Sequence, residues 1–392
     1  MNAQESDLGI SLVRDDLLFR LQRRIGLIPE HGMGLVRRAI LFALLAWLPI
    51  ALWALVNGRA LPGTVGEPLL QHFGIHVRFL VALPLLIVGE GMVHGLTTRL
   101  IPHFQTSGLV RDEQREAFRE ILRGMVRLRN STLPWVLIGA IIVAGVGLQQ
   151  PHEVEHELVW ANVGEPVFLH LGFGGWWMAY VARPIFLALI CAWLWRLVLM
   201  VLLLKRIAAL NLQIVPTHPD RAGGLGFLEK LPTAFSLFAF AISAVVASRL
   251  AHDVIYHGVH VQSLKPVVAV FLIVLVLLCL APLMVFIPTL AGARRRALLE
   301  YGALVGEHGR LVQRRWILRE TLDDPPLLEA PEIGPVADTV SLYDAVAKMR
   351  VAPIGKAALL AVAVPAAIPM LALFAIEVPI KDLLLKLLGT LA

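Results

Sequence analysis

Charge is scarce in this chain. Only 16% of its 392 residues are Asp, Glu, Lys or Arg, while 57% are hydrophobic. That balance excludes an ordinary soluble globular protein. Cysteine is scarcer still: Cys191 and Cys279 both lie in apolar stretches, so no disulfide framework is expected. Lysine is rare beside arginine, and that bias hints at a GC-rich bacterial genome. The net charge of +6 is not of a nucleic-acid-binding kind. The basic residues flank apolar runs, where anionic lipid headgroups account for them. No internal repeat is visible, which argues against an inverted-repeat transporter. No Walker-type phosphate loop is present, because Gly223, Gly224 and Gly226 have the wrong spacing. The charged first 36 residues precede any apolar run and do not read as a cleaved signal.

What the chain has instead is seven long apolar stretches. Crossing the hydrocarbon takes about 20 apolar residues in a helix, and the candidates are 39–57, 79–97, 133–149, 177–203, 234–254, 266–290 and 357–378. With the N-terminus inside, the inner segments hold 27 of the 35 basic residues, so the positive-inside rule chooses that orientation. The expected fold is an all-α, polytopic membrane bundle, since in lipid the backbone must satisfy its own hydrogen bonds. It divides into a cytoplasmic amphipathic segment 1–38, a six-helix region 39–290, a helical and Pro-rich cytoplasmic segment 291–356, and a last span with its tail, 357–392. Whether the stretch Ile380–Leu391 is outside, interfacial or re-entrant is open.

The inner segments carry their own patterns. Leu8, Leu12, Leu18 and Ile25 lie among charges, as in an interfacial helix. Arg115, Arg119 and Arg123 repeat at i+4 with Glu116 and Glu120 between them, predicting a charged helix over 109–129. Residues 291–321 read as span six continuing inward, until Asp323-Asp324-Pro325-Pro326 ends the helix.

Inside the membrane, Gly89-Glu90-Gly91 with His94 one turn later stands out. Glu90 falls about 17 Å from the outer edge of span two, near the midplane. An unpaired charge there is costly, so Glu90 is expected to be neutral or paired. Glu90 and His94 share a helix face, which suits a proton or cation pathway or a packing bond to another helix. Arg183, about 9 Å below the outer edge of span four, is the expected counter-ion. Arg196 and Arg249 lie near the rims, where snorkelling is expected. Prolines 49, 84, 184, 282, 288, 365 and 369 interrupt most spans and free backbone carbonyls.

Eight of thirteen histidines fall on the outer face: His72, His76, His152, His156, His170, His252, His257 and His260. Glu153, Glu155, Glu157, Glu165 and Asp253 accompany them. His152, His156, His252, His257 and His260 are candidate ligands for a divalent transition metal. A pH sensor and plain headgroup-level residues are the other readings. His152-Glu153-Val154-Glu155-His156 resembles the H-E-x-x-H zinc motif of metallopeptidases, with His170 or Glu165 as a third ligand. Glu155 puts a charge where such peptidases carry an uncharged residue, and a loop of about 27 residues is too short for a substrate cleft.

Between spans four and five runs Val215-Pro216-Thr217-His218-Pro219-Asp220-Arg221-Ala222-Gly223-Gly224-Leu225-Gly226-Phe227-Leu228. Asp220 can cap a following helix, and Gly223-Gly224 permits positive φ or close backbone approach. The loop is either a specified turn or an anion cradle of His218, Asp220, Arg221, Gly223 and Gly224. His218-Pro219-Asp220 matches the tripeptide of J-domain co-chaperones, but the preceding segment is a membrane span rather than their basic helix. The longer string resembles a loop in uncharacterised bacterial polytopic inner-membrane proteins, a resemblance that implies no activity.

These features lead to the expectation of a transporter or channel for a small ion or solute, with a divalent metal or a proton favoured. A sensory or scaffolding protein with a cytoplasmic partner, and a zinc metalloenzyme, are the alternatives. Self-association is open.

Overall fold

The computed structural model describes residues 10–29, 32–61, 68–147, 159–161, 171–320 and 334–376. Among them the chain is helical, with seven helices long and apolar enough to cross a membrane. The spanning helices are α2 (Leu35–Val56), α3 (Phe73–Thr106), α5 (Leu133–Gly147), α6 (Phe173–Ala208), α7 (Ser236–His257), α8 (Val261–Met284) and α11 (Lys356–Phe374). Each falls on one of the seven expected stretches. α1 (Leu17–Arg24), α4 (Arg115–Asn130), α9 (Ile287–Val312) and α10 (Gly334–Ala347) complete the set.

α3, α6 and α7 are the most deeply enclosed, while α2, α5, α8 and α11 keep apolar faces turned outward. Exposed Val267, Val270, Ile273, Val274 and Leu277 on α8 are what a lipid-facing surface requires. Small residues set the closest approaches, as they do in membrane bundles. Gly89 on α3 faces the Trp193 ring of α6 so closely that a Cβ would sit 2.9 Å from it. The Trp193 indole donates to the Leu86 carbonyl at 3.0 Å, fixing the ring over that gap.

α3 and α6 share an irregularity. Both begin with a short α-turn, pass through a π-helical turn (Val77–Ala82 and Met178–Ala182) and resume α-geometry at a proline. Proline lacks the amide that closes an i to i−4 bond, and a π turn is one way to absorb its loss. The sequence around the two turns is also shared. Phe73-Gly74, Val81-Ala82 and Pro84 recur as Phe173-Gly174, Val181-Ala182 and Pro184 at a constant offset. Each follows a shorter apolar helix of the same direction, α2 or α5. The likeness is confined to five positions within 73–84 and 173–184 and leaves the reading of no internal repeat in place.

α3 starts earlier and runs further than the apolar stretch 79–97, and Glu90, about 26 Å along it, lies at its middle. One expectation changes. Span six does not continue unbroken. It ends at Met284, and α9 restarts at Ile287 with Pro288 in its first turn. α9 and α10 then form an antiparallel hairpin on the inner side: Arg294 Nη2 donates to the Ala347 carbonyl at 2.8 Å, and His308 pairs with Thr339 at 3.4 Å. Asp323-Asp324-Pro325-Pro326 and Ile380–Leu391 lie outside the described residues. The 109–129 helix is present as α4 with a short 3-10 turn before it. Glu116 pairs with Arg119 and Arg123, and Phe118, Leu122 and Met125 are buried.

The Gly89 contact yields a stability prediction. Gly89→Val forces Trp193 off its carbonyl and should destabilise the protein by about 1–3 kcal/mol. Gly95→Ala, where a Cβ meets nothing within 4 Å, should leave the thermal midpoint in detergent unchanged. Equal midpoints for both variants would remove the α3–α6 contact as a determinant of packing.

Candidate functional site

Four ionisable groups meet where the first turn of α2 packs against the middle parts of α3 and α6. Glu90 forms ion pairs with Arg38 Nη2 at 2.7 Å and with Arg196 Nη2 at 2.9 Å. Arg196 Nη2 also reaches Asp16 Oδ2 at 3.0 Å. All four are buried, Glu90 and Arg38 at 1% exposure, Arg196 at 2% and Asp16 at 3%. Two guanidiniums and two carboxylates leave the quartet formally neutral. That is the condition under which buried charge is tolerated, since each lone ion costs several kcal/mol to desolvate.

The elements explain the meeting. Arg38 lies one turn into α2, Glu90 deep in α3, and Arg196 midway along α6. Asp16 comes from the N-terminal strap, residues 10–29, which tucks under the bundle instead of lying along its surface. Asp16 Oδ1 caps α1 by accepting from the Phe19 amide at 2.7 Å, so one carboxylate starts a helix and closes an ion pair. Gln22 Oε1 accepts from Arg38 Nε at 2.5 Å. The Ser11 carbonyl accepts from Arg129 Nη1 at 2.5 Å, and Ser11 Oγ pairs with His94 Nδ1 at 2.8 Å. Ile10, Leu12, Val13 and Phe19 are buried beside these bonds.

The geometry corrects the pairing expected from sequence. Glu90 is ion-paired as anticipated, but to Arg38 and Arg196. Arg183 stands thirteen residues before Arg196 on the same helix, about 20 Å along its axis. Arg196 does not snorkel. His94 joins the site through the strap and not through Glu90. Arg38, Asp16, Gln22, Ser11 and Arg129 were missed, because each reads in sequence as a rim or surface residue.

On the opposite side, His252 stacks on His72 with ring centroids 5.5 Å apart and also meets His257 at 5.5 Å. His257 Nδ1 faces Asp253 Oδ1 at 3.4 Å. His76 has a structural role: its Nδ1 accepts from Trp47 Nε1 at 2.9 Å, leaving Nε2 to donate to the Leu69 carbonyl at 3.1 Å. His260 is the N-cap residue of α8. Among the described residues no group of three or more His, Cys, Asp or Glu is arranged to hold a metal ion. His152 and His156, with the rest of the H-E-x-x-H segment, His170 and Glu165, lie outside the described residues.

The Gly-rich loop closes on itself. Asp220 Oδ1 accepts from the amides of Ala222 at 2.8 Å and Gly224 at 3.2 Å, and Oδ2 from Gly226 at 2.7 Å. His218 Nδ1 lies 2.9 Å from the same carboxylate. The amides an external anion would need are thus occupied by the loop's own anion, which is the specified-turn alternative. Arg221, Gly223 and Gly224 all have positive φ, and a side chain at Gly223 would strike Ile214. The turn also clasps the segment before α11: Arg350 donates from its amide to the Arg221 carbonyl at 2.7 Å and from Nη2 to the Asp220 carbonyl at 2.9 Å, and pairs with Glu229. Burial works to raise the Asp220 carboxyl. The amides of Ala222, Gly226 and Gly224, with His218, outweigh it and hold the group below its ordinary 3.8.

A shallow groove of about 670 Å³ on α2, lined by Arg37, Ile40, Leu41, Leu44, Leu45, Leu48 and Pro49, includes none of the quartet. It is a lipid-facing helix surface. No protein-family model, no curated protein and no solved structure matches the chain.

Two predictions follow from these geometries. Arg38→Ala leaves Glu90 with one partner and should cost about 3–5 kcal/mol. Arg37→Ala, its exposed neighbour, should change stability by no more than about 0.5 kcal/mol in the same denaturation assay. For Asp220, a lowered folded-state pKa means its stabilisation is complete above the ordinary 3.8 and is lost as pH falls through the lowered value. The thermal-midpoint gap between wild type and Asp220→Asn should therefore be flat at neutral pH and close in acid. A gap that widens in acid would contradict the assignment.

Proposed function

We propose that the protein is a transporter or channel for a small ion or solute, held closed on its inner side by the N-terminal strap. The observation that carries this reading is the strap's Asp16 paired with Arg196 inside the bundle, at a quartet that simple anchoring does not require. Replacing buried ion pairs by apolar side chains is often neutral or stabilising, and their best-attested use is to set a register or a switch. The strap is the one member not built into a spanning helix, so it is the element that can leave. The arginine-rich inner segments and the resemblance of the 215–228 loop support a bacterial inner membrane as its location.

A metal cargo draws no support from the quartet, whose two guanidiniums would repel a cation. A proton remains compatible, through Glu90 and the strap-bound His94. A second reading, a scaffold with a cytoplasmic partner, rests on the end of α9. There Trp316, Ile317 and Leu318 are 52%, 71% and 57% exposed among Arg310, Arg314, Arg315 and Arg319.

In proteoliposomes, Asp16→Ala should raise basal flux several-fold by loosening the strap, and Glu90→Gln should alter it. If neither variant changes the flux of any ion or small solute tested, the transport reading fails. Capture of a soluble partner that Trp316→Ala abolishes would then favour the scaffold.

A further inference from the structure

The helices and the strap bring unequal chemistry to the site. α2, α3, α4 and α6 contribute three guanidiniums, Arg38, Arg129 and Arg196, and a single carboxylate, Glu90, each more than nine-tenths buried. The strap answers each guanidinium with an acceptor: the Gln22 Oε1 for Arg38, the Ser11 carbonyl for Arg129 and the Asp16 carboxylate for Arg196. Even so, Arg38 Nη1 and Arg196 Nε and Nη1 have no hydrogen-bond partner among the described residues. Buried donors of this kind are ordinarily satisfied. Without the strap, the helices would present an excess of two positive charges in an enclosed place. Guanidinium forks match the two oxygens of a carboxylate, and the pairing is strongest out of water.

We propose that the place the strap fills, where Arg38 and Arg196 flank Glu90 and Arg129 meets Ser11, is a binding site for a small carboxylate, with the strap's Asp16 as its built-in competitor. The proposal rests on the transport reading for what the site is for, but not for whether it binds. Asp16 stands where the ligand's carboxylate would stand, and it offers Arg196 the same oxygen chemistry. The strap then does two things with one side chain: it neutralises the site when no ligand is present, and it must leave when a ligand takes its place. Ligand and strap exclude each other, so loading the site opens the inner side. Glu90 keeps Arg38 and Arg196 aligned in both states and limits the vacated charge excess to two, which a mono- or dicarboxylate can offset.

The test uses the full chain in nanodiscs, with radiolabelled acetate and succinate as probes and phosphate as a third arm. Asp16→Ala, which removes the competitor, should bind a carboxylate about tenfold more tightly than wild type, since the wild-type site is mostly occupied. Adding Arg38→Lys to that variant should weaken binding again, because a lysine cannot present the fork. In the wild type, a saturating carboxylate should speed hydrogen exchange at the strap amides, with ionic strength held constant by a bulky sulfonate buffer. An Asp16→Ala protein that is monodisperse and binds neither carboxylate overturns the proposal. So does unchanged strap exchange in the wild type, which decides the matter if the variant does not fold. Phosphate binding without carboxylate binding overturns the ligand class. Binding without liposome flux keeps the site and removes the transport reading. Flux without carboxylate binding or strap release removes the site and keeps transport.

Discussion

The rest of the structure depends on one constraint: charges taken out of water must be answered by other charges. Glu90 is the fixed point. Its two oxygens tie Arg38 and Arg196, on two other helices, to α3, and Arg196 in turn draws in Asp16. The apolar bulk of the bundle would tolerate many helix arrangements, because lipid competes equally for apolar surface. The quartet tolerates few. It locks α2, α3 and α6 in rotation and depth, and it makes the docking of a segment outside the membrane a condition of electrical balance within it.

Read this way, the inner side has two distinct fastenings. One is the strap under the quartet. The other is the loop around Asp220, which binds its own amides and then holds Arg350 just ahead of α11. The two differ in kind. The loop is local, its donors and acceptor lie within a few residues of one another, and it behaves as a rigid corner. The strap spans more than a hundred residues of sequence separation in its bonds to Arg129 and Arg196. A rigid corner beside a docked strap is the division of labour that the proposed transport reading requires.

Much of this was legible in sequence. The seven spans were, because the need for about 20 apolar residues is a length rule with few exceptions. Glu90 was, because an acid among apolar residues asks for an explanation wherever it sits. Asp220 and its glycines were, because a turn announces itself over a few residues. The partners of Glu90 were not. Arg38 sits beside Arg37 at a span's edge, where arginine is ordinary, and Asp16 lies in a charged stretch that looks like surface. Pairing between positions 16, 38, 90 and 196 follows no period, so nothing in a linear reading connects them. The two π turns were not legible either, since the residues around them differ little from the apolar background.

The π turns of α3 and α6 have a further consequence. A π turn holds about one residue more than the α-turn it replaces, and one residue is about 100° of rotation about a helix axis. Val77–Ala82 lies upstream of Glu90, and Met178–Ala182 upstream of Arg196. The direction in which each charge points is therefore set about 12 Å upstream in α3 and about 21 Å upstream in α6, by how that turn is wound. Rewinding either turn into α-geometry would swing its charge away from its partners without moving the helix as a whole. Each turn thus acts as a mechanical dial for an electrostatic contact further down its helix.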